Sequence, residues 1–408
     1  MLKAGPRSII TLIAVFALCM CIDPYSPKLE GYESLLVVEG MITDANTSYS
    51  VKLSRTIQEQ TAIPDPVSDA TVFISDGENN LNYLNNKGNG IYKTDSTRFR
   101  AIVGKTYFLN ILTPDGKEYK SDPCLMQPVP DIDNISYTRD QKILNNGTEN
   151  QEGILISVDS EGSGDNNFYR WEYEETWKFK LPNTKRYNYI DDTTILPVNV
   201  IKEYCWRTRK SNEVMIHQVY AGQPSRIEKE PIFFLASEKS DRLLIQYSIL
   251  IKQYSISRQE YDFWDNTKKV NDSGGDIFAK QPFPVKSNIF NVSNPEEKVL
   301  GYFQVSGMKQ KRKNIVYKEL EGLNLPSYQY PCERIVREPK DYETPWGEKM
   351  TWNRLYYIFC TSSAYSFVEP IYVPGTFTLQ KLVFSTQECA DCELTGSIKK
   401  PDFWKEFE

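Results

Sequence analysis

Histidine is nearly missing from these 408 residues: His217 is the one imidazole in the chain. That excludes metal sites built on several histidines and confines any Ser-His or Cys-His catalytic pair to one position. His217 itself lies in "EVMIHQVY" (213–220), a strand-like stretch with apolar neighbours, where a satisfied structural role is expected. The chain also lacks a Gly-x-Ser-x-Gly elbow, a phosphate-cradling P-loop and a Gly-x-Gly-x-x-Gly turn. Runs of like charge are missing too. With a net charge of −6 and acids interleaved with bases, no face suited to nucleic acid is expected. No apolar run reaches the about 20 residues that a membrane-spanning helix needs. Nothing in the chain calls for a cofactor.

What is present begins at the N-terminus. Lys3 and Arg7 precede an uncharged stretch from Ile9 to Met20, the n-region and short h-region of an export signal. Leu18 stands three residues before Cys21, the pattern of a bacterial lipoprotein signal, in which the thiol is acylated and becomes the mature start. Cys19, with Phe16 three residues back, fits that pattern less well. Residues 1–20 are therefore expected to be a signal peptide, and acyl chains on Cys21 to hold the protein at a membrane. Two prolines and an acid in "IDPYSP" oppose helix and sheet alike, so 21–34 reads as a tether.

From 35 to 122 the chain reads as a small β-sandwich. "LLVVEGMI", "YSVKLSRT" and "ATVFISDG" are rich in β-branched and aromatic residues, and Asp76-Gly77, Asn89-Gly90 and Pro114-Asp115-Gly116 supply turns. Tyr107, Leu109 and Ile111 alternate onto one face, and the turn after them returns "KEYKS" as a hairpin partner. "PVSDATVFISDG", "GNGIYKT" and "VGKTYFLNILTPDGKEY" together resemble the transthyretin-like or carboxypeptidase-regulatory sandwich, which implies a binding or spacing module. Pro123, Pro128 and Pro130 mark 123–131 as a linker.

Residues 132–408 read as a larger β-rich domain. In "FYRWEYEETWKFKL" (168–181), Trp171, Tyr173, Glu175, Trp177 and Phe179 share one face and Glu172, Glu174, Thr176, Lys178 and Lys180 the other. Such a strand suits an antiparallel sandwich, by analogy of the immunoglobulin or fibronectin type III kind. A helix is expected near 257–270, with Ser257 as N-cap, Glu260 closing a capping box, and Ile256 with Tyr261 as a hydrophobic staple. The fold class is mainly β.

Six cysteines remain after the N-terminus: Cys124, Cys205, Cys332, Cys360, Cys389 and Cys392. In an exported protein they are disulfide candidates, and the spacing selects none of the possible pairings. Cys389-Ala-Asp-Cys392 is a poor zinc site without histidines or a second Cys-x-x-Cys, and no βαβ pattern surrounds it as a thioredoxin-like motif requires.

Taken together, Cys21-Ile-Asp-Pro-Tyr, the Gly274-Gly275 loop, Gln281-Pro282 with Asn288-Ile289, Gly301-Tyr302-Phe303, and Cys389-x-Asp-Cys392 before Lys400-Pro-Asp-Phe-Trp404 resemble the Bacteroidota lipoproteins of domain of unknown function 4249. The resemblance implies an outer-membrane lipoprotein, often encoded beside a TonB-dependent receptor. It implies no ligand and no catalytic residues.

Other chemistry rests on weaker patterns. "DSEGSGDNNFYR" (159–170) spaces oxygen side chains as a calcium loop does, through Asp159, Glu161 and Asp165, but ends on Arg170 where a bidentate Glu belongs. Glu172, Glu174 and Glu175, or Asp191 and Asp192, could pair for glycoside hydrolysis, although 54 acidic residues make such neighbours common. Asp95-Ser96-Thr97 and Asp192-Thr193-Thr194 resemble Bacteroidota O-glycosylation signals. Tyr189 and Trp346, among turn and charged residues, read as contact-surface aromatics. The expected function is that of a non-catalytic, lipid-anchored accessory or binding protein working with a TonB-dependent transporter on an unknown ligand. A surface adhesin or structural lipoprotein is the alternative, and a two-carboxylate hydrolase the remaining one.

Overall fold

Strand-forming residues dominate the chain, and a computed structural model describes residues 33–57, 64–78, 80–144, 147, 149–162, 168–191, 193–220, 226–273, 285–338, 351–360 and 364–407. The architecture is mainly β, with several sheets and, among the described residues, no barrel. Cys21, Asp165, Asp192, Gly274, Gly275, Gln281, Pro282 and Trp346 lie outside the described residues.

The first unit is two sheets sharing one core. One contains Leu36–Thr43, Ser50–Arg55 and Ile91–Lys93; the other contains Thr71–Asp76, Thr106–Leu112 and Glu118–Ser121. Alternation decides which side chains meet: Leu36, Val38, Val51 and Leu53 face Val72, Ile74, Leu109 and Ile111 across the interior. The expected hairpin forms, with Leu112 opposite Glu118 across the Asp115-Gly116 turn.

Both sheets are completed from far along the chain. Ile289–Asn291 pairs with Glu118–Ser121, and Val299–Ser306 runs parallel to Leu36–Thr43 over its whole length. The boundary at 123–131 places these strands in the larger domain, whereas their side chains Ile289, Val299, Phe303 and Val305 join the first core. A parallel partner needs a long crossover, and here the chain from Thr43 to Val299, through the rest of the first unit and most of the second, supplies it, a pairing that local patterns cannot reveal. Gly301 allows the approach: its φ is +87°, and a Cβ there would stand 2.0 Å from the Val38 carbonyl oxygen.

The second unit faces Ile132–Leu144, Glu149–Ser160 and Ile227–Ala236 against Phe168–Phe179, Cys205–Lys210, Gln246–Ser255 and Met308–Val316. Trp171, Tyr173, Trp177 and Phe179 are buried as their spacing requires, and Glu175 is buried with them. The C-terminal part of the expected larger domain builds a third core. There the Tyr187–Asp191 and Thr194–Pro197 hairpin and the Trp352–Cys360 helix pack on the sheet of Ile335–Arg337, Tyr365–Tyr372 and Leu379–Thr386.

The helix Arg258–Ser273 starts where expected: the Glu260 amide donates to Ser257 Oγ at 3.1 Å. Ile256 is buried and Tyr261 packs on Phe168 with ring centroids 5.2 Å apart. Glu260 differs from the capping-box reading, because its side chain is drawn into the protein and Oε1 accepts from Trp264 Nε1 at 3.1 Å. Burial pushes its carboxyl up to about 8, against the pull of Arg170.

Arg170 ties the first unit to the second. Its guanidinium lies between the Tyr254 and Trp264 rings, 4.9 and 4.7 Å from their centroids. It donates to Gln304 Oε1 at 2.9 Å and pairs with Glu172 Oε1 at 2.8 Å. Burial would raise the Glu172 carboxyl, but Arg170 and the Tyr254 hydroxyl hold it below the usual range.

Candidate functional site: an arginine-lined cleft

Strand alternation in "CWRTRK" sends Cys205, Arg207 and Arg209 to one side. The antiparallel register with Phe168–Phe179 then sets Arg207 opposite Trp177 and Arg209 opposite Glu175. Arg242, on the short 3-10 turn Asp241–Leu243, reaches the same place from the chain entering Gln246–Ser255. Three guanidiniums consequently surround one indole, 5.4, 5.7 and 5.2 Å from the Trp177 centroid for Arg207, Arg209 and Arg242. Each such contact contributes about 0.5–2 kcal/mol, more where water is excluded.

These residues wall a cleft of about 1070 Å³ between the second unit and the segments leading to the third. Phe233 and Leu235 form one wall, Tyr328, Tyr330 and Cys332 another, and Cys389 and Thr395 close the far side. Its polar groups are largely arranged already. Asp241 accepts from Trp177 Nε1 at 2.9 Å and from the Tyr330 hydroxyl at 2.8 Å. Burial and Asp241 both raise the Tyr330 pKa, so that hydroxyl stays protonated and donating. Glu175 receives Arg242 at 3.1 Å and the Tyr247 hydroxyl at 3.0 Å; burial nevertheless raises its carboxyl above the ordinary range.

Two disulfides hold the walls. Cys205–Cys392 fastens the C-terminal segment to the arginine strand, next to a bridge pairing Trp206 with Ser397. Cys332–Cys389 fastens the tyrosine segment to the turn after the third sheet. The two sulfurs of Cys-x-x-Cys thus go to different partners. Gly396 lies where they converge, and a Cβ there would approach Phe179 and the Trp206 carbonyl to 2.8 Å.

Cys124 and Cys360 correct the disulfide expectation, for both are free thiols. Cys124 lies against the first core and Cys360 against the third, so among the described residues neither has a cysteine partner. Cys124 Sγ accepts from Asn288 Nδ2 at 3.3 Å, and burial, with Glu260 nearby, pushes its thiol up to about 12. Burial likewise pushes Cys360 up to about 11. Neither thiol is activated for nucleophilic chemistry.

The other sequence candidates are dispersed. Tyr189 is not a surface aromatic: it is buried in the third core, stacked on Tyr356 at 4.4 Å and set edge-on to Phe367. The loop around Asp159 and Glu161 is flanked by strands, and Asp159 Oδ1 already accepts the Lys229 amide at 2.9 Å. Among the described residues no cluster of three or more His, Cys, Asp or Glu is placed to hold a metal ion. The glutamates at 172–175 are divided between faces, each beside its own arginine: Glu172 with Arg170, Glu174 with Arg312 at 3.9 Å, and Glu175 with Arg242. His217 is half-buried in the strand Met215–Gln218, with Nδ1 2.9 Å from Glu230. Asp95 accepts from the Thr97 hydroxyl at 2.7 Å in an exposed turn, and Asp191 binds Thr193 in the same way.

Sequence reading passed over the cleft residues themselves. A signal was available, since Arg207 and Arg209 share the side of the strand that Cys205 takes, where the alternation would otherwise call for apolar residues. Among the described residues, no helix is long and apolar enough to cross a membrane. Comparison with known proteins finds a match to the family model described as Domain of unknown function (DUF4249), over residues 22–312. No curated protein matches the chain.

Proposed function

The chain belongs to the DUF4249 family, and from that premise we propose that it is a non-catalytic binding lipoprotein, anchored in the outer membrane through acylated Cys21 and working with a TonB-dependent transporter in uptake. The observation that carries the binding role is the open cleft in front of the buried Trp177 ring, where Arg207, Arg209 and Arg242 with Phe233, Tyr328 and Tyr330 line a cavity about the size of ligand sites. The anchor rests on the signal-like N-terminus and on Leu18 three residues before Cys21. Disulfides are favoured in an oxidising compartment, which supports export.

The test is purification of the native protein from detergent-solubilised membranes. Expected are recovery in the outer-membrane fraction, a mature N-terminal peptide carrying diacylglycerol on Cys21, and a co-purifying TonB-dependent receptor. Recovery in the cytosol with an unmodified thiol would overturn the anchor. An anchored protein that brings down no receptor but adheres to surface polymers would favour the adhesin reading.

A further inference from the structure

We propose that the Trp177 cleft receives an oxyanion, a carboxylate or phosphate group borne by its ligand, and that Arg209 and Arg242 are the groups that bind it. The proposal deepens the binding role and rests on reading this cleft as the ligand site.

The three guanidiniums around Trp177 are not equally engaged. Arg207 is held by the main chain and side chain of Thr395, with Nε donating to the carbonyl oxygen at 2.7 Å. Arg242 is held on one side only. Nη2 meets Glu175, while Nε is buried with no hydrogen-bond partner, although the side chain fronts the cleft. A buried donor left unpaired costs about 1–3 kcal/mol, and a small turn of the Arg242 side chain toward a ligand oxygen in the cleft would remove that cost. Arg209 is exposed, and among the described residues no carboxylate lies within ion-pairing distance of it. The Trp177 ring fixes its place at 5.7 Å and leaves its fork directed by stacking instead of by a counter-ion.

The acids nearby offset this charge only in part. Asp241, on the cleft lining, is engaged with Trp177 and Tyr330, and Glu175 is shared between Arg242 and Tyr247 and also feels Arg209. Glu388 is one further lining carboxylate against five lining cations, Lys142, Arg207, Arg209, Lys239 and Arg242. Lys142 adds a further cation at the cleft wall, while Lys239 is already paired with Glu149 at 2.8 Å. A chain of net charge −6 therefore concentrates under-compensated guanidinium at one concave place. Guanidinium forks match planar carboxylates and phosphates with two parallel hydrogen bonds. Phe233 and Tyr328 on adjoining walls would flank the part of the ligand that carries the anion.

The experiment is calorimetric titration of the full mature protein with tricarballylate for the carboxylate arm and inorganic phosphate for the phosphate arm, with sorbitol as the neutral control. Saturable binding of at least one anion is expected, weakened on the order of tenfold in Arg209→Ala and in the neutral Arg209→Gln, and unchanged in Lys52→Ala at the distant first unit. Arg209 is exposed, so both variants stay folded at the assay temperature, with melting temperatures within a few degrees of wild type. The arm that binds identifies the oxyanion. No binding of either anion up to about 10 mM, or binding indifferent to both Arg209 variants, overturns the proposal. Receptor co-purification is not read in this assay, so its failure and the failure of the transport role are distinguishable.

Discussion

Arg170 and Arg242 each lie against a tryptophan with a glutamate in reach, yet one bridges two units beside a hollow of about 620 Å³ and the other fronts the arginine-lined cleft. At Arg170 two rings, Glu172 and Gln304 engage the guanidinium, leaving the buried Nε without a hydrogen-bond partner, and the buried Glu260 lies near enough to feel its charge. At Arg242 a similar set is cut open, with a second and a third arginine added where water or a ligand can reach them. The ingredients are alike. Two hydrogen-bonding partners on different strands make Arg170 a clamp, whereas two further guanidiniums beside Arg242 make a receptor surface, because the missing counter-charge can be supplied from solution.

The sharpest way to break this comparison is to dissolve the wall that keeps the cleft open in one shape. Replacing Cys205 and Cys392 together by Ser frees a loop closed over 187 residues, for which chain entropy gives a loss of roughly 4–5 kcal/mol, read as a large fall in melting temperature under non-reducing conditions. Arg170→Ala comes next. It leaves Glu172 and Gln304 facing a void between the units, with an expected cost of about 3–5 kcal/mol in denaturant unfolding.

Glu260 tests the clamp side by pH. Its carboxyl is raised in the folded protein, so the folded state holds a proton that the unfolded chain releases above the ordinary glutamate range. Stability should therefore decline as pH rises from the unfolded value near 4.5 toward about 8. Glu260→Gln, which keeps the acceptor for Trp264, should flatten the melting-temperature profile over that window relative to wild type. An unchanged slope would mean that the group is not protonated in the fold. The smallest stability effect belongs to the open side: Arg209→Ala should cost no more than about 1 kcal/mol in the same unfolding assay, the loss of one exposed cation–π contact. If it costs as much as Arg170→Ala, the distinction between clamp and receptor fails.

The parts legible beforehand were those written in short-range periodicity. Alternation from Trp171 to Phe179 predicted a buried strand face, and Ser257 predicted the first turn of a helix, because both signals operate over a few residues. Glu260 shows where that reach ends. Its spacing suits a capping box, but Trp264 and the neighbouring units take the side chain inward. Tyr189 shows the same limit in reverse, since polar neighbours along the chain conceal the Tyr356 and Phe367 rings that bury it.

By itself the sequence determined the mainly β character, the position of the helix start, the inward face of the tryptophan strand and the makeup of a signal-like N-terminus, because each depends on residues near one another in the chain. Only the tertiary structure decided that Val299–Ser306 completes the first sheet, which cysteines meet, and that arginines from two separate segments gather on Trp177. Those outcomes depend on which distant surfaces can close over one another without stranding a charge or a backbone group, and that is settled in space instead of along the chain.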